Sequence, residues 1–327
     1  MHITPKMPRR RGVLKALAAG AATIALPSFA AWPDRAIKIV VTFPPGGASD
    51  IVARVLGEQL QHKLGQGVVV DNRPGAGGSV GGLVVAQAPA DGYTLMLSNS
   101  TPISIGPFAL EKQPYDPVQG FTHIALIGSA PCVVMANPAS GIKTMADLIA
   151  AAKKTGRLDF GSGGPASIGH IYGELMKNAL KLNLVHVPYR GGAPMTTDLI
   201  AGVVPVGIDV LTAFVPYFQS GKLVPVAVTS TTRAPLVPNV PTVVEAGYRN
   251  LVLDNFFGLS GPAHMPADVV SRLNAVCNEI LAQPDIRKKM DELAITVSPG
   301  TPAAFTTFVK DQVGQLSPLV KAAGVRL

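Results

Sequence analysis

Short β-branched runs alternate with helical patterns along most of this chain, and no other feature restricts its fold as tightly. Ile37-Lys38-Ile39-Val40-Val41-Thr42-Phe43 reads as a buried strand, and Pro44-Pro45-Gly46-Gly47 ends it. Ile51, Val52, Val55, Leu56 and Leu60 then recur at helical spacing, which predicts a helix over 49–64. A strand at 68–70, a helix at 79–87 and a strand at 94–98 follow. The second half continues the alternation, with helix 144–155, a strand ending in Phe160-Gly161-Ser162, helix 167–180, and strands at 185–187, 206–209 and 224–229. Helices at 266–282 and 302–323 complete the pattern, with Pro302 suited to a first turn, where a missing N–H is no loss. Alternation at this length predicts an α/β fold with parallel sheets covered by helices. Such folds bind ligands beyond the carboxyl ends of their strands.

The N-terminus reads as an address rather than as part of that fold. Lys6, Arg9, Arg10, Arg11 and Lys15 are followed by an apolar run at 16–26, too short to span a bilayer about 30 Å thick. Pro27-Ser28-Phe29-Ala30 then places small residues where a signal peptidase reads, so cleavage is expected after Ala30, with export to the periplasm. Arg10-Arg11-Gly12-Val13-Leu14-Lys15 also matches the twin-arginine export pattern, with Val13 where Phe is commoner. Losing those five charges takes the net charge from +8 to +3. Nothing left is a basic patch, because Arg287-Lys288-Lys289 is flanked by Asp285 and Asp291, so nucleic-acid binding is not implied. Cys132 and Cys277 are the only cysteines. Two buried free thiols is the expected state, with a disulfide as the alternative.

Two strand-to-helix loops have the character of a binding site. One runs from Pro44 to Asp50; the other is Gly161-Ser162-Gly163-Gly164-Pro165-Ala166-Ser167, leading into a helix that carries His170. Enzyme readings are weaker. Gly77-Gly78-Ser79-Val80-Gly81 matches the G-x-S-x-G pattern of a serine hydrolase, with Asp209 and His264 in hydrolase order. A nucleophile elbow places its serine directly after a strand, however, and 72–78 separates Ser79 from the strand at 68–70. The histidines show no zinc spacing, and no glycine loop carries a dinucleotide or phosphate fingerprint, so no metal or cofactor is expected. An exported serine hydrolase using Ser79 and an exported protein-interaction module remain as alternatives.

Seven motifs in order resemble one family. They are Trp32-Pro33-Asp34-Arg35, the run from Phe43 to Asp50, Asp71-Asn72-Arg73-Pro74-Gly75-Ala76-Gly77-Gly78, Asp91-Gly92-Tyr93-Thr94-Leu95, Tyr115-Asp116-Pro117, His186-Val187-Pro188-Tyr189-Arg190-Gly191, and Val240-Pro241-Thr242-Val243-Val244-Glu245-Ala246-Gly247. Together they resemble the tripartite tricarboxylate transporter receptors, the Bug (TctC-like) family of periplasmic solute-binding proteins. The resemblance implies a type II periplasmic-binding-protein fold, two α/β lobes with a ligand cleft between them. It also implies two crossings between lobes, expected near 129–134 and 251–258. The first lobe would comprise 31–131 and 256–327, and the second 132–255. The implied partners are a small carboxylate and the subunits of a tripartite membrane transporter, with the receptor a monomer. Two positions depart from the family pattern: Pro165-Ala166 stands where Asn-Gly is usual, and Arg190 where Lys is common.

A carboxylate needs donors, and a helix N-terminus offers unpaired N–H groups at the positive end of its dipole. The expected ligand-binding residues are Phe43, Pro44, Gly46, Gly47, Ala48, Ser49 and Asp50 on the first loop. On the second they are Ser162, Gly164, Ala166, Ser167 and His170, joined by Tyr189 and Asp209. Gly46 and Gly47 allow close backbone approach, and Ser162 and Ser167 are candidate hydroxyl donors. Asp50 is read as a cap or brace for its glycine turn, with ligand contact as the alternative. His170 is either a ligand group or a structural histidine. Asp209 either accepts from a ligand's amino or hydroxyl group or caps a helix opening near Thr212.

Overall fold

The structure is a computed structural model that describes residues 1–3 and 32–327, so the leader beyond its first three residues and its expected cleavage point lie outside the described residues. Met1–Asp34 is one unit and Arg35–Leu327 another. The second unit begins β1 (Ile37–Val41), α1 (Ala48–Leu64), β2 (Val68–Asn72), α2 (Ser79–Ala86), β3 (Thr94–Asn99), α3 (Gly106–Ala109), β4 (Phe121–Ala136). It continues α4 (Met145–Thr155), β5 (Leu158–Ser162), α5 (Ile168–Leu180), β6 (Leu184–Pro188), α6 (Gly192–Ala201), β7 (Val206–Val210), α7 (Val215–Gln219), β8 (Val224–Val228). It ends β9 (Asp254–Pro262), α8 (Ala267–Ala282), α9 (Pro284–Asp291), β10 (Thr296–Val297), α10 (Pro302–Ala322). Every expected element is present within one or two residues of its reading.

The β-branched runs become strands because both faces are covered. Ile37, Ile39, Val40 and Val41 are fully buried, and α1 lays Val52, Leu56 and Leu60 against the sheet. Helix ends follow local chemistry. Thr144 and Asp147 form a reciprocal capping box on α4, and α1 stops at Gly65, whose φ of 69° is left-handed.

The expectation of parallel sheets holds only for their outer parts. In the first sheet, β1 pairs in parallel with β2 and β3; in the second, β5 pairs in parallel with β6 and β7. The centre is antiparallel. β4 runs against β9 through Pro131 on one side, then against β7 and β8 from Cys132 onward. β9 also runs against β3, which makes the first sheet β2-β1-β3-β9-β4-β10. The physical reason is connectivity: one segment carries the chain out of the first sheet and another brings it back, so neighbours at the junction point in opposite directions. One core lies under the first sheet, around Val40, Met96, Phe256, Phe305 and Val309. Another lies under the second, around Val133, Met195, Leu199, Phe214 and Val228.

Candidate functional site: a cleft at the carboxyl ends of two sheets

The C-terminal ends of β1 and β3 in one sheet and of β5, β6 and β7 in the other converge on one cleft. Its deep part encloses about 40 Å³. An outer chamber of about 310 Å³ shares Phe43, Pro44, Gly163 and Gly191 with it.

The first wall is the β1–α1 loop. Gly47 is the N-cap of α1 and brings no side-chain cap, so the first-turn amides at Ala48 and Ser49 are left to whatever enters the cleft. Asp50 points back into its own loop. Its Oδ2 accepts from the Gly46 amide and Arg54 Nε, each at 3.0 Å, and its Oδ1 accepts from Arg54 Nη2 and Asn72 Nδ2 at 3.0 Å. Asn72 Nδ2 also reaches the Phe43 carbonyl at 2.9 Å, so one amide and one carboxylate hold the turn. Burial pushes the Asp50 carboxyl up, but the bonds from Arg54, Gly46 and Asn72 outweigh it and leave the group below the usual range.

The second wall is the β5–α5 loop, and its polar side chains face inward to one another. Ser162 is fully buried, 2.7 Å from His186 Nε2 and 3.1 Å from Ser167 Oγ, and accepts from the Gly164 amide at 3.2 Å. Ser167 caps α5 by accepting from the His170 amide at 3.3 Å. His170 Nδ1 accepts from the Ala166 amide at 3.1 Å, and its ring stacks on His186 with centroids 3.7 Å apart. Both hydroxyls expected as ligand donors bond within the loop, Ser167 also lining the deep cavity, and the His170 ring packs on His186. Ala166 is buried with φ 54°, the left-handed region that favours glycine.

The β6–α6 loop forms a third wall. Gly191, the N-cap of α6, again lacks a side-chain cap, and its amide is tied to the Gly163 carbonyl at 3.1 Å. A β-carbon at Gly191 would lie 3.0 Å from Pro44 Cγ, and one at Gly77 would lie 3.0 Å from Ala166 Cβ. The two halves thus touch on either side of the outer chamber. Tyr189 lines that chamber and donates to Asp198 at 3.0 Å, while the exposed Arg190 lies at its wall.

At the end of β7, Asp209 lines the deep cavity. Its Oδ1 accepts from the Val210 amide at 2.8 Å, and the turn Leu211–Ala213 has no side-chain cap, so the capping role expected near Thr212 is absent. Burial pushes this carboxyl up to about 6.

Of the expected residues, Phe43, Pro44, Gly47, Ala48, Ser49, Ser167 and Asp209 line the deep cavity, and Gly164 and Tyr189 line the outer chamber. Gly46, Asp50, Ser162, Ala166 and His170 stand behind those surfaces as supports. Sequence reasoning missed Asn99, Thr101 and Asn255 on the floor, and the pair Gly191-Gly192. The glycine pair was legible, since it repeats the strand–glycine–helix signature of Gly46-Gly47. Asn99 and Asn255 had no such signal. Asn99 enters through a bond to Ser49 Oγ at 2.9 Å, and Asn255 through the junction strand.

The serine-hydrolase arrangement is not assembled. Ser79 is buried at the start of α2, and neither Asp209 nor His264 is among its hydrogen-bond partners. Cys132 and Cys277 are free and buried, and burial pushes the Cys277 thiol up to about 12.

Known proteins are similar to this chain. Residues 52–325 match the family described as the tripartite tricarboxylate transporter family receptor. Protein BugT of Bordetella pertussis is 33% identical over 298 residues, 90% of this chain and 91% of that one. A solved structure described as a periplasmic transporter superposes with a TM-score of 0.87 at 33% identity, covering 90% of this chain and 99% of that one. The R. palustris protein Rpa4515, solved with adipate, superposes with a TM-score of 0.86 at 31% identity, with the same coverage.

Proposed function

The chain belongs to the tripartite tricarboxylate transporter receptor family of periplasmic solute-binding proteins, and from that premise we propose that it captures a small carboxylate in this cleft and passes it to a tripartite membrane transporter. The observation that carries the reading is the convergence of three helix N-termini, those of α1, α5 and α6, on one cavity lined by no Lys, Arg or His. Helix dipoles, and at α1 and α6 first-turn amides without a side-chain cap, are the anion donors of such a place. Each bond to a charged oxygen is worth about 1.5–3 kcal/mol net. Three or four total about 5–12 kcal/mol before the entropy of association is subtracted, and a net of about 8 kcal/mol corresponds to a micromolar dissociation constant. The carboxylate lies between the β1–α1 and β5–α5 loops and the body of the solute fills the outer chamber. A relative solved with adipate is in keeping with that reading. The two halves act as lobes that close on the solute about β4 and β9, the receptor works as a monomer, and a leader cut after Ala30 delivers it.

Ala48→Asp tests the placement. Ala48 lines the cavity in the first turn of α1, where a carboxylate suits the helix dipole, so the fold is expected to survive. Against a ligand carboxylate about 4 Å away, at an effective dielectric near 20, repulsion is about 4 kcal/mol before relaxation. Calorimetry with a panel of small carboxylates should show binding weakened at least tenfold. Ala303→Asp, in the exposed first turn of α10, is the control and should bind as the parent does. Equal affinity in both variants would put the ligand elsewhere.

A further inference from the structure

Of the fifteen residues that line the deep cavity, Asp209 is the only one with an ionisable side chain. One of its oxygens, Oδ1, is taken by the neighbouring amide of Val210. The other, Oδ2, lies between Gly163 and Gly192: a β-carbon would come within 3.1 Å of it at the first and 3.3 Å at the second. Both glycines line the cavity, and no cation does. The cavity thus offers amides for an anion and, beside them, a carboxylate without a countercharge. Two like charges side by side in a cavity of about 40 Å³ repel strongly, whereas a hydrogen-bond donor on the ligand removes the conflict. The small volume also decides where that donor sits. An atom touching Asp209 lies within an atom or two of the bound carboxylate, so the donor belongs on the adjacent carbon. The rest of the solute extends past Pro44 into the chamber lined by Pro74, Ala76 and Pro165.

Building on the carboxylate reading above, we propose that Asp209 is the specificity-determining residue of this receptor, selecting 2-amino and 2-hydroxy acids over acids that are bare at that carbon. The selection has an attractive part, the bond to the ammonium or hydroxyl. It also has a repulsive part, since a bare acid leaves Asp209 facing the cavity unpaired.

The test uses matched sets of four-, five- and six-carbon acids, each as the 2-amino, 2-hydroxy and unsubstituted compound, titrated by calorimetry at pH 8 into ligand-free protein. At the chain length that binds best, the 2-amino or 2-hydroxy acid should bind at least tenfold more tightly than its unsubstituted partner. In Asp209→Asn that gap should shrink to within about threefold, mainly because the unsubstituted acid binds better. Equal affinities in the parent protein overturn the proposal by themselves, whether or not the variant folds. A gap that persists in Asp209→Asn overturns it too. If no acid of any set binds to the parent protein, the carboxylate reading itself falls, an outcome distinct from the loss of selectivity.

Discussion

Asp50 and Asp209 are the same residue placed in opposite surroundings, and the difference assigns their work. Asp50 is met by a guanidinium, a side-chain amide and a backbone amide, and stays ionised as a brace. Asp209 has one amide and otherwise faces the cavity. Its folded-state value of about 6 lies above the ordinary 3.8, so the folded protein holds that proton more tightly than the unfolded chain between those values. The stabilisation from this group is full below about pH 4 and is lost as pH rises through 6. At pH 8 the ionised carboxylate therefore costs about 3 kcal/mol of stability. Asp209→Asn without ligand should melt a few degrees above the parent at pH 8 and much closer to it at pH 4. Scanning calorimetry at the two pH values decides it, and a variant no more stable at pH 8 would show that Asp209 is not strained by its site. Loss of solute selectivity together with a gain in stability is the pattern expected where a binding site holds an uncompensated charge.

At the scale of the element, the cleft repeats one device: a strand ends, glycines turn the chain, and a helix starts at the cavity, without a side-chain cap at α1 and α6 and capped by Ser167 at α5. Only the β5–α5 copy carries an imidazole brace. Burial, and next the neighbouring His170, hold His186 down at about 3, so this ring is neutral in the folded protein at any pH near neutrality. The unfolded chain takes up that proton near 6.5, so the stability is present above that pH and is lost as pH falls. Allowing for partial solvent access, the loss by pH 5 is about 1 kcal/mol. His186→Gln keeps an acceptor for Ser162 without the titration, and should lower the melting temperature less between pH 7 and pH 5 than the parent does. An unchanged pH response would mean that the stacked pair does not couple to stability. Most helices of these units were legible because their apolar spacing is regular. α6 was not: it opens Gly192-Ala193-Pro194 and carries Thr196 and Thr197, and it is helical because Met195 and Leu199 are buried on the second sheet. Ala166 shows the same override: it is fully buried and holds an alanine in a conformation that glycine prefers.

At the scale of the whole molecule, the two sheets are joined by β4 and β9, and one side chain ties both crossings. Thr229 Oγ1 accepts from the Cys132 amide at 2.8 Å and donates to the Leu253 carbonyl at 2.6 Å, with no exposure to solvent. Thr229→Val keeps the shape but leaves the Cys132 amide buried and unpaired, which costs about 1–3 kcal/mol. Chemical denaturation should show that loss, and ligand affinity should change as well if closure turns about these strands. Unaltered stability would mean that the crossings are held elsewhere. β4 itself explains why the centre was hard to read. Its sixteen residues include Gly128 and Pro131, its register slips at two places against β9, and its faces are buried over most of its length, so neither alternation nor a clean run appears. The sequence by itself determined the strand–helix units, the glycine turns that open helices α1 and α5, and the family, because each rests on residues close together in the chain. Tertiary structure alone decided which loops meet, that Asn99 and Asn255 form the floor, that Ser162 and Ser167 turn inward, and that Asp209 stands without a countercharge. Those outcomes depend on which groups are brought together and cut off from water, and that follows from the pairing of strands far apart in the chain.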